Sequence, residues 1–179
     1  MDIILEKGLS AQSRTTVTAA NTAATMGSGD LEVFATPSMV ALMEHAAMTA
    51  VAAALPAGAT TVGAEMNVTH IKPSGLGAEI TATAVLTGVE GRKLTFNVGA
   101  LDAEGMIGEG VHVRYVVDRA KFMAKVRCRR WGTPGLLTGF YAKRNGRGSI
   151  AAAPVIPFPA VGQSPTSRCS ARITRMPDA

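Results

Sequence analysis

The first 127 residues contain no cysteine, since Cys128 and Cys169 are the only two in the chain. That stretch therefore offers no disulfide, no thiolate nucleophile and no cysteine-ligated metal site. Aromatic residues are scarce at 4%, and charged residues make up 17%. A hydrophobic content of 47% is nevertheless compatible with a globular core, which excludes a disordered or collagen-like chain.

The N-terminus lacks a basic run ahead of an apolar stretch, so no signal peptide is predicted. The most apolar helical segment, residues 39–55, is interrupted by Glu44 and His45, which argues against a membrane span. We therefore expect a cytoplasmic protein with no membrane partner.

Charge is unevenly distributed along the 179 residues. Residues 1–127 hold 10 Lys and Arg against 12 Asp and Glu, whereas residues 128–179 hold 8 against 1. The length suits one domain with an appendage. We predict a domain over residues 1–127 and a basic, disordered tail rich in Pro, Arg and Gly over residues 128–179. The tail's arginines are scattered, without a dense basic run, so no nucleic-acid partner is expected.

Periodicity predicts an α+β fold. A Thr- and Val-rich segment indicates a first strand near residues 13–20, followed by a loop at 26–30. Thr36 and Pro37 are typical of a helix start, with Thr36 as the cap, and apolar spacing carries the helix to Leu55. Alternation then predicts four strands, over residues 60–71, 79–87, 94–100 and 107–117. The layout indicates an antiparallel sheet wrapped around one helix.

Few residues suit chemistry on pattern alone. His45 is interpreted as a helix-flank residue, and His112 as either a solvated or an interior strand residue. His70 ends a predicted strand beside a turn. Glu44, within an apolar helix, must find a partner, become protonated, face a cavity or lie on a narrow exposed edge. No phosphate-binding loop, metal-ligand cluster or Ser/His/Asp signature is present.

Five segments together resemble the hot-dog-fold thioesterases of the fluoroacetyl-CoA thioesterase type, over about residues 10–127. They are residues 33–44 (VFATPSMVALME), 62–63, 68–70, 108–114 (GEGVHVR) and 118–126. The resemblance implies a five-stranded antiparallel sheet around one central helix. It also implies a homodimer with active sites at the subunit interface, and hydrolysis of acyl-CoA substrates.

The resemblance also assigns residues. Thr36, Glu44 and His70 match the family's catalytic threonine, glutamate and histidine, and Gly63 and Arg114 match positions associated with substrate binding. Thioester hydrolysis needs a nucleophile, stabilisation of the oxyanion and protonation of the leaving thiolate. Glu44 would attack directly or activate water, and His70 would act as base and acid. No metal and no cofactor are expected, since coenzyme A is part of the substrate.

One departure concerns the segment before the helix. The fluoroacetyl-specific enzyme has a lid with phenylalanines there, whereas this chain has MGSGD at residues 26–30. We therefore expect an unspecified acyl preference and no selectivity for fluorinated substrates. The alternative hypothesis is a non-catalytic acyl-CoA binding or sensing module, because one fold serves many functions.

Overall fold

The computed structural model describes residues 5–128. The elements, in chain order, are β1 (Ser10–Thr16), a 3₁₀ turn (Ala19–Asn21), α1 (Ala23–Met26), α2 (Thr36–Ala52), β2 (Ala59–His70), β3 (Glu79–Glu90), β4 (Lys93–Asp102), β5 (Gly105–Asp118) and α3 (Arg119–Cys128). All but the first residue of the predicted tail lies outside the described residues, and its predicted disorder stays a prediction.

The five strands form one antiparallel sheet in the order β1-β3-β4-β5-β2. Two tight turns join β3 to β4 and β4 to β5, and each needs a glycine at positive φ, Gly91 at 59° and Gly105 at 123°. Strand β2 is reached through α2. Within residues 5–128 it pairs only with β5, so it forms an edge of the described sheet. The predicted α+β class is confirmed.

Helix α2 lies against one face of this sheet and contacts β1, β2, β3 and β4. Its fully buried residues are Met39, Met43, Ala46, Ala47 and Val51. Several of them are small, which lets the helix approach the alternating apolar residues of β3 and β4, such as Ala82 and Ala100. The core therefore sits between one helix and one concave sheet face.

Three sequence expectations are wrong in detail. Strand β1 covers Ser10–Thr16, so the predicted strand at 13–20 was placed too late, and residues 19–26 form two short helical turns instead. Helix α2 ends at Ala52, three residues before Leu55. Thr36 is the first residue of α2, Ala35 is its N-cap, and no side chain caps the helix. The Thr36 hydroxyl has another partner, described below.

A polar brace holds the chain just after β2. Ser74 Oγ donates to Asp102 Oδ2 (2.8 Å), the Glu104 amide donates to Asp102 Oδ1 (2.9 Å), and Lys72 Nζ lies 2.6 Å from Glu104 Oε2. The hydrogen bond from Ser74, followed by the Glu104 amide and the Lys72 charge, holds the pKa of Asp102 below its usual range. The brace ties the loop after His70 to the β4–β5 turn.

Within residues 5–128, none of the helices combines the length and the apolar character that crossing a membrane requires.

Candidate active site

Thr36 and His70 meet where the start of α2 lies beside the end of β2. Thr36 Oγ1 and His70 Nδ1 share a hydrogen bond of 2.9 Å. The other ring nitrogen of His70, Nε2, is buried and has no hydrogen-bond partner among residues 5–128. Because an unpaired buried polar atom is costly, this nitrogen is placed to meet a group outside the described chain.

Burial lowers the pKa of His70 below its ordinary value of 6.5, and the nearby backbone of Lys72 opposes this effect to a smaller extent. The ring is therefore neutral at pH 7, and a neutral imidazole can accept a proton. A hydroxyl bonded to a neutral imidazole is an arrangement that supports acid–base chemistry.

The Thr36–His70 pair opens into a cleft of about 280 Å³. The segment between α1 and α2 forms one wall, and the chain just after β2 forms the other. The lining residues are Ala23, Ser28, Val33, Phe34, Thr36, His70, Ile71, Lys72 and Pro73. Most of this lining is small or apolar, which suits a short acyl group or the thiol end of a carrier.

Glu44 lies away from the Thr36–His70 pair. Two turns of α2 separate it from Thr36, which is about 12 Å at 1.5 Å per residue. Its side chain is 41% exposed, and Oε1 lies 3.4 Å from His112 Nε2 and 3.7 Å from Arg114 Nη1. The carboxylate thus has partners yet remains open to solvent, which combines two of the alternatives that the sequence left open.

Gly63 makes room for this carboxylate. It lies on β2 opposite Arg114, and a Cβ built at Gly63 would overlap Glu44 Oε1. Any side chain here would displace the carboxylate. The predicted substrate-binding position Gly63 therefore touches Glu44 directly.

Arg114 is 6% exposed. Its Nε donates to Thr61 Oγ1 (2.9 Å), its Nη2 donates to the Thr61 carbonyl (3.1 Å), and its Nη1 donates to His112 Nε2 (3.0 Å). Burial lowers the pKa of Arg114, with Glu44 opposing the shift, and the guanidinium keeps its charge. The predicted substrate-binding role of Arg114 stays a prediction, and within residues 5–128 its polar contacts are to Thr61, His112 and Glu44.

The remaining histidines divide clearly. His45 is exposed on α2, where Nδ1 lies 2.7 Å from Ser13 Oγ, in agreement with a helix-flank residue. His112 is fully buried, so the interior interpretation is the right one. The sequence offered one signal for its place, since His112 and Arg114 alternate on the same face of β5. Spacing alone does not show that this face meets Glu44.

The fold is an antiparallel sheet wrapped around one helix, and the site combines a Thr–His pair with a separate glutamate. Together these features define the class of the hot-dog thioesterases. A family model described as fluoroacetyl-CoA-specific thioesterase matches residues 17–120. The chain belongs to this family. The predicted family and the hot-dog fold are confirmed.

Individual relatives agree. The fluoroacetyl-CoA thioesterase of Streptantibioticus cattleyicolor is 46% identical over 96 residues, which are 54% of this chain and 69% of that protein. A solved fluoroacetyl-CoA thioesterase superposes with a TM-score of 0.66 at 36% identity, covering 70% of this chain and 98% of its own. A threonine-to-serine variant of that enzyme, solved with acetyl-CoA, gives 0.65 at 36% identity, with coverage of 69% and 97%.

Proposed function

We propose that this chain is an acyl-CoA thioesterase whose active site is assembled from two protomers of a homodimer. Family membership makes it a thioester hydrolase, and the acetyl-CoA complex of a relative supports coenzyme A thioesters as the substrate class. The observation that carries the site is the Thr36–His70 hydrogen bond, together with a buried Nε2 that has no partner in the described part of the chain. A non-catalytic binding module is not favoured.

Two groups of residues would share the reaction. Glu44 would either attack the thioester carbonyl carbon, giving an anhydride that water then cleaves, or take a proton from the attacking water. In either route His70 would take up a proton from the hydrolytic water and deliver it to the thiolate of coenzyme A, with Thr36 holding the ring. The first amides of α2, next to Thr36, suit the negative charge that develops on the carbonyl oxygen. Coenzyme A enters as part of the substrate, and we propose no further cofactor.

The separation of Glu44 from the Thr36–His70 pair supports a shared site. The outer edge of β2 has no pairing partner within residues 5–128, and Gly63, Ala64, Glu65, Asn67 and Thr69 are exposed along this strand. Two copies paired antiparallel along this edge, with the two-fold axis between Met66 and Asn67, would set Gly63 opposite the partner's His70. Because Gly63 touches Glu44, each Glu44 would then approach the partner's Thr36–His70 pair.

A mixing experiment tests the shared site. Heterodimers of Glu44→Gln and His70→Ala protomers would contain one doubly defective site and one intact site, hence about half of the parent activity per dimer. If each protomer carried a whole site, every site would have one defect and no activity would return. Each variant mixed with itself is the control.

The substrate itself is tested by thiol release over a panel of acetyl, fluoroacetyl, branched and aromatic acyl-CoA thioesters. The cleft wall carries the small side chains of Ala23 and Ser28. They support a substrate preference that does not depend on fluorine in the acyl group. Hydrolysis of fluoroacetyl-CoA far ahead of all others would contradict that part of the proposal. Binding of acyl-CoA without hydrolysis across the panel would favour the sensing module.

A further inference from the structure

His112 lies at the centre of the polar cluster behind Glu44, and the reaction outlined above gives it no role. The ring is fully buried on β5. Its Nδ1 lies 2.7 Å from the Glu65 carbonyl oxygen, and its Nε2 lies 3.0 Å from Arg114 Nη1 and 3.4 Å from Glu44 Oε1. One buried ring therefore contacts the edge strand, the guanidinium and the carboxylate.

The two close partners determine where the ring proton lies. A carbonyl oxygen only accepts hydrogen bonds, so Nδ1 must carry the proton that it donates to Glu65. A guanidinium only donates, so Nε2 must offer its lone pair to Arg114. The ring is then neutral, with its proton on Nδ1. Burial is the largest effect on the pKa of His112 and lowers it, in agreement with a neutral ring. The Glu65 carbonyl raises this pKa to a smaller extent, the Arg114 charge then lowers it, and Glu44 raises it least.

An irregularity of β2 provides the first contact. The register between β2 and β5 shifts between Gly63 and Glu65, so Ala64 is an extra residue on the edge strand. The Glu65 carbonyl oxygen next to this bulge accepts a hydrogen bond from His112 Nδ1. Gly63, on the other side of the bulge, is the residue that admits the Glu44 carboxylate. His112 thus anchors the same few residues that shape the space around Glu44.

We propose that His112 is a positioning residue for the glutamate. As a neutral ring, it accepts a hydrogen bond from Arg114 and so orients the guanidinium toward Glu44. The inference rests on the proposed function, in which Glu44 acts on the thioester. A neutral Nε2 gives no hydrogen bond to an ionised Glu44, so His112 acts on the carboxylate through Arg114.

Two variants of nearly equal size separate this role from simple filling of space. In His112→Gln, an amide oxygen can reach the place of Nε2 and accept from Arg114. In His112→Asn, the shorter amide can replace only Nδ1 and its bond to Glu65. We expect His112→Gln to keep kcat within about threefold, and His112→Asn to lose at least about tenfold in kcat with KM nearly unchanged, as for other losses of positioning.

The outcomes are distinguishable. If both variants retain the parent kcat, or if both lose stability and kcat together, positioning through Arg114 is overturned. If the unmodified protein hydrolyses no thioester, the proposed function fails first.

The ring itself can be observed whether or not a substrate is found. Nitrogen NMR of the unmodified protein with ¹⁵N-labelled histidine should show His112 neutral and protonated on Nδ1 at pH 7. A cationic ring, or one protonated on Nε2, would overturn the inference independently of any kinetics.

Discussion

Gly63 is the residue whose size bears most directly on Glu44. A Cβ at position 63 would overlap the carboxylate of Glu44, which lies at the far end of a flexible side chain. We therefore expect Gly63→Ala to fold normally while the Glu44 carboxylate moves aside. A displacement of about 1 Å can cost up to about 10²-fold in rate, and we expect kcat/KM to fall at least tenfold on this scale. Gly99→Ala is the matched control, because its Cβ would meet Met106 (3.6 Å) and the Gly108 carbonyl oxygen (3.8 Å) at ordinary contact distances. Equal activity of the two variants would contradict the close approach.

Glu44 and His70 can be tested singly. Glu44→Gln and His70→Ala should each lower kcat/KM by at least about 10²-fold, the usual scale for a positioned acid or base. Thermal unfolding should change little, because Glu44 is partly exposed and His70 borders the cleft. His45→Ala is the control, since His45 follows Glu44 in sequence and turns away toward Ser13. Rates within threefold of the parent for both test variants would remove the assignment.

The sequence predicted single residues unevenly. Resemblance gave Thr36, Glu44 and His70, whereas periodicity alone favoured a plain helix cap for Thr36. That preference was wrong because the hydroxyl bonds to His70, 34 positions away, and local pattern carries no such information. For the same reason, the sequence did not decide whether His112 faces solvent or the interior. Its buried ring contacts groups that lie far away in the sequence, the Glu44 carboxylate of α2 and the Glu65 carbonyl of β2.

At the scale of elements, the residues of the apolar helix α2 differ in how deeply they are buried, although the sequence of the helix is nearly uniform. Met43 is fully buried, whereas its neighbour Leu42 is half-buried and packs against the core from its margin. We expect Met43→Asp to prevent folding, because an unpaired buried charge costs several kcal/mol against a total stability of about 5 to 15 kcal/mol. Leu42→Asp should fold with a reduced melting temperature. Circular dichroism melts would distinguish them, and a normally melting Met43→Asp protein would contradict the packing.

Elements bounded by clear turn residues were predicted best. Gly91 and Gly105 mark the turns that fix β3, β4 and β5, and alternation shows which face is buried. Strand β1 and the turns after it were misplaced, because residues 9–26 hold neither a strong alternation nor a long helical period. Helix α3 was not predicted at all. The resemblance identified its residues only as the end of the family's domain.

The whole molecule should lose stability in mild acid. The pKa of His112 is lowered on folding, so below its ordinary value of 6.5 the unfolded state binds more protons. The free energy of unfolding should therefore fall as the pH drops below about 6.5, by at most about 1.4 kcal/mol per pH unit for this ring. His70 should add less, because its side chain is only partly buried, whereas that of His112 is fully buried. Urea titrations should show a shallower pH dependence for His112→Gln than for the parent, and equal slopes would contradict a buried neutral ring.

Truncation after Arg127 tests the predicted division of the chain. The core, both residue groups of the site and the family match at residues 17–120 all precede that point. We expect the shortened protein to keep its melting temperature and its rate of thioester hydrolysis. Loss of folding would show that residues 128–179 belong to the domain.

The outer edge of β2, unpaired among the residues that the structure describes, has a consequence for a newly synthesised chain that has not yet met a second copy. Twelve residues of strand, Ala59–His70, carry Glu65 as their only acidic or basic side chain apart from His70, so little repels a foreign strand. Exposed edges of this kind are templates for aggregation, which proteins commonly suppress with charges or prolines. If a second copy covers the edge, assembly removes the hazard and completes the site in one step. At a low concentration of the protein, single chains would then lack a complete active site and would also be prone to aggregate. The concentration would therefore determine both the loss of protein to aggregation and its thioesterase activity.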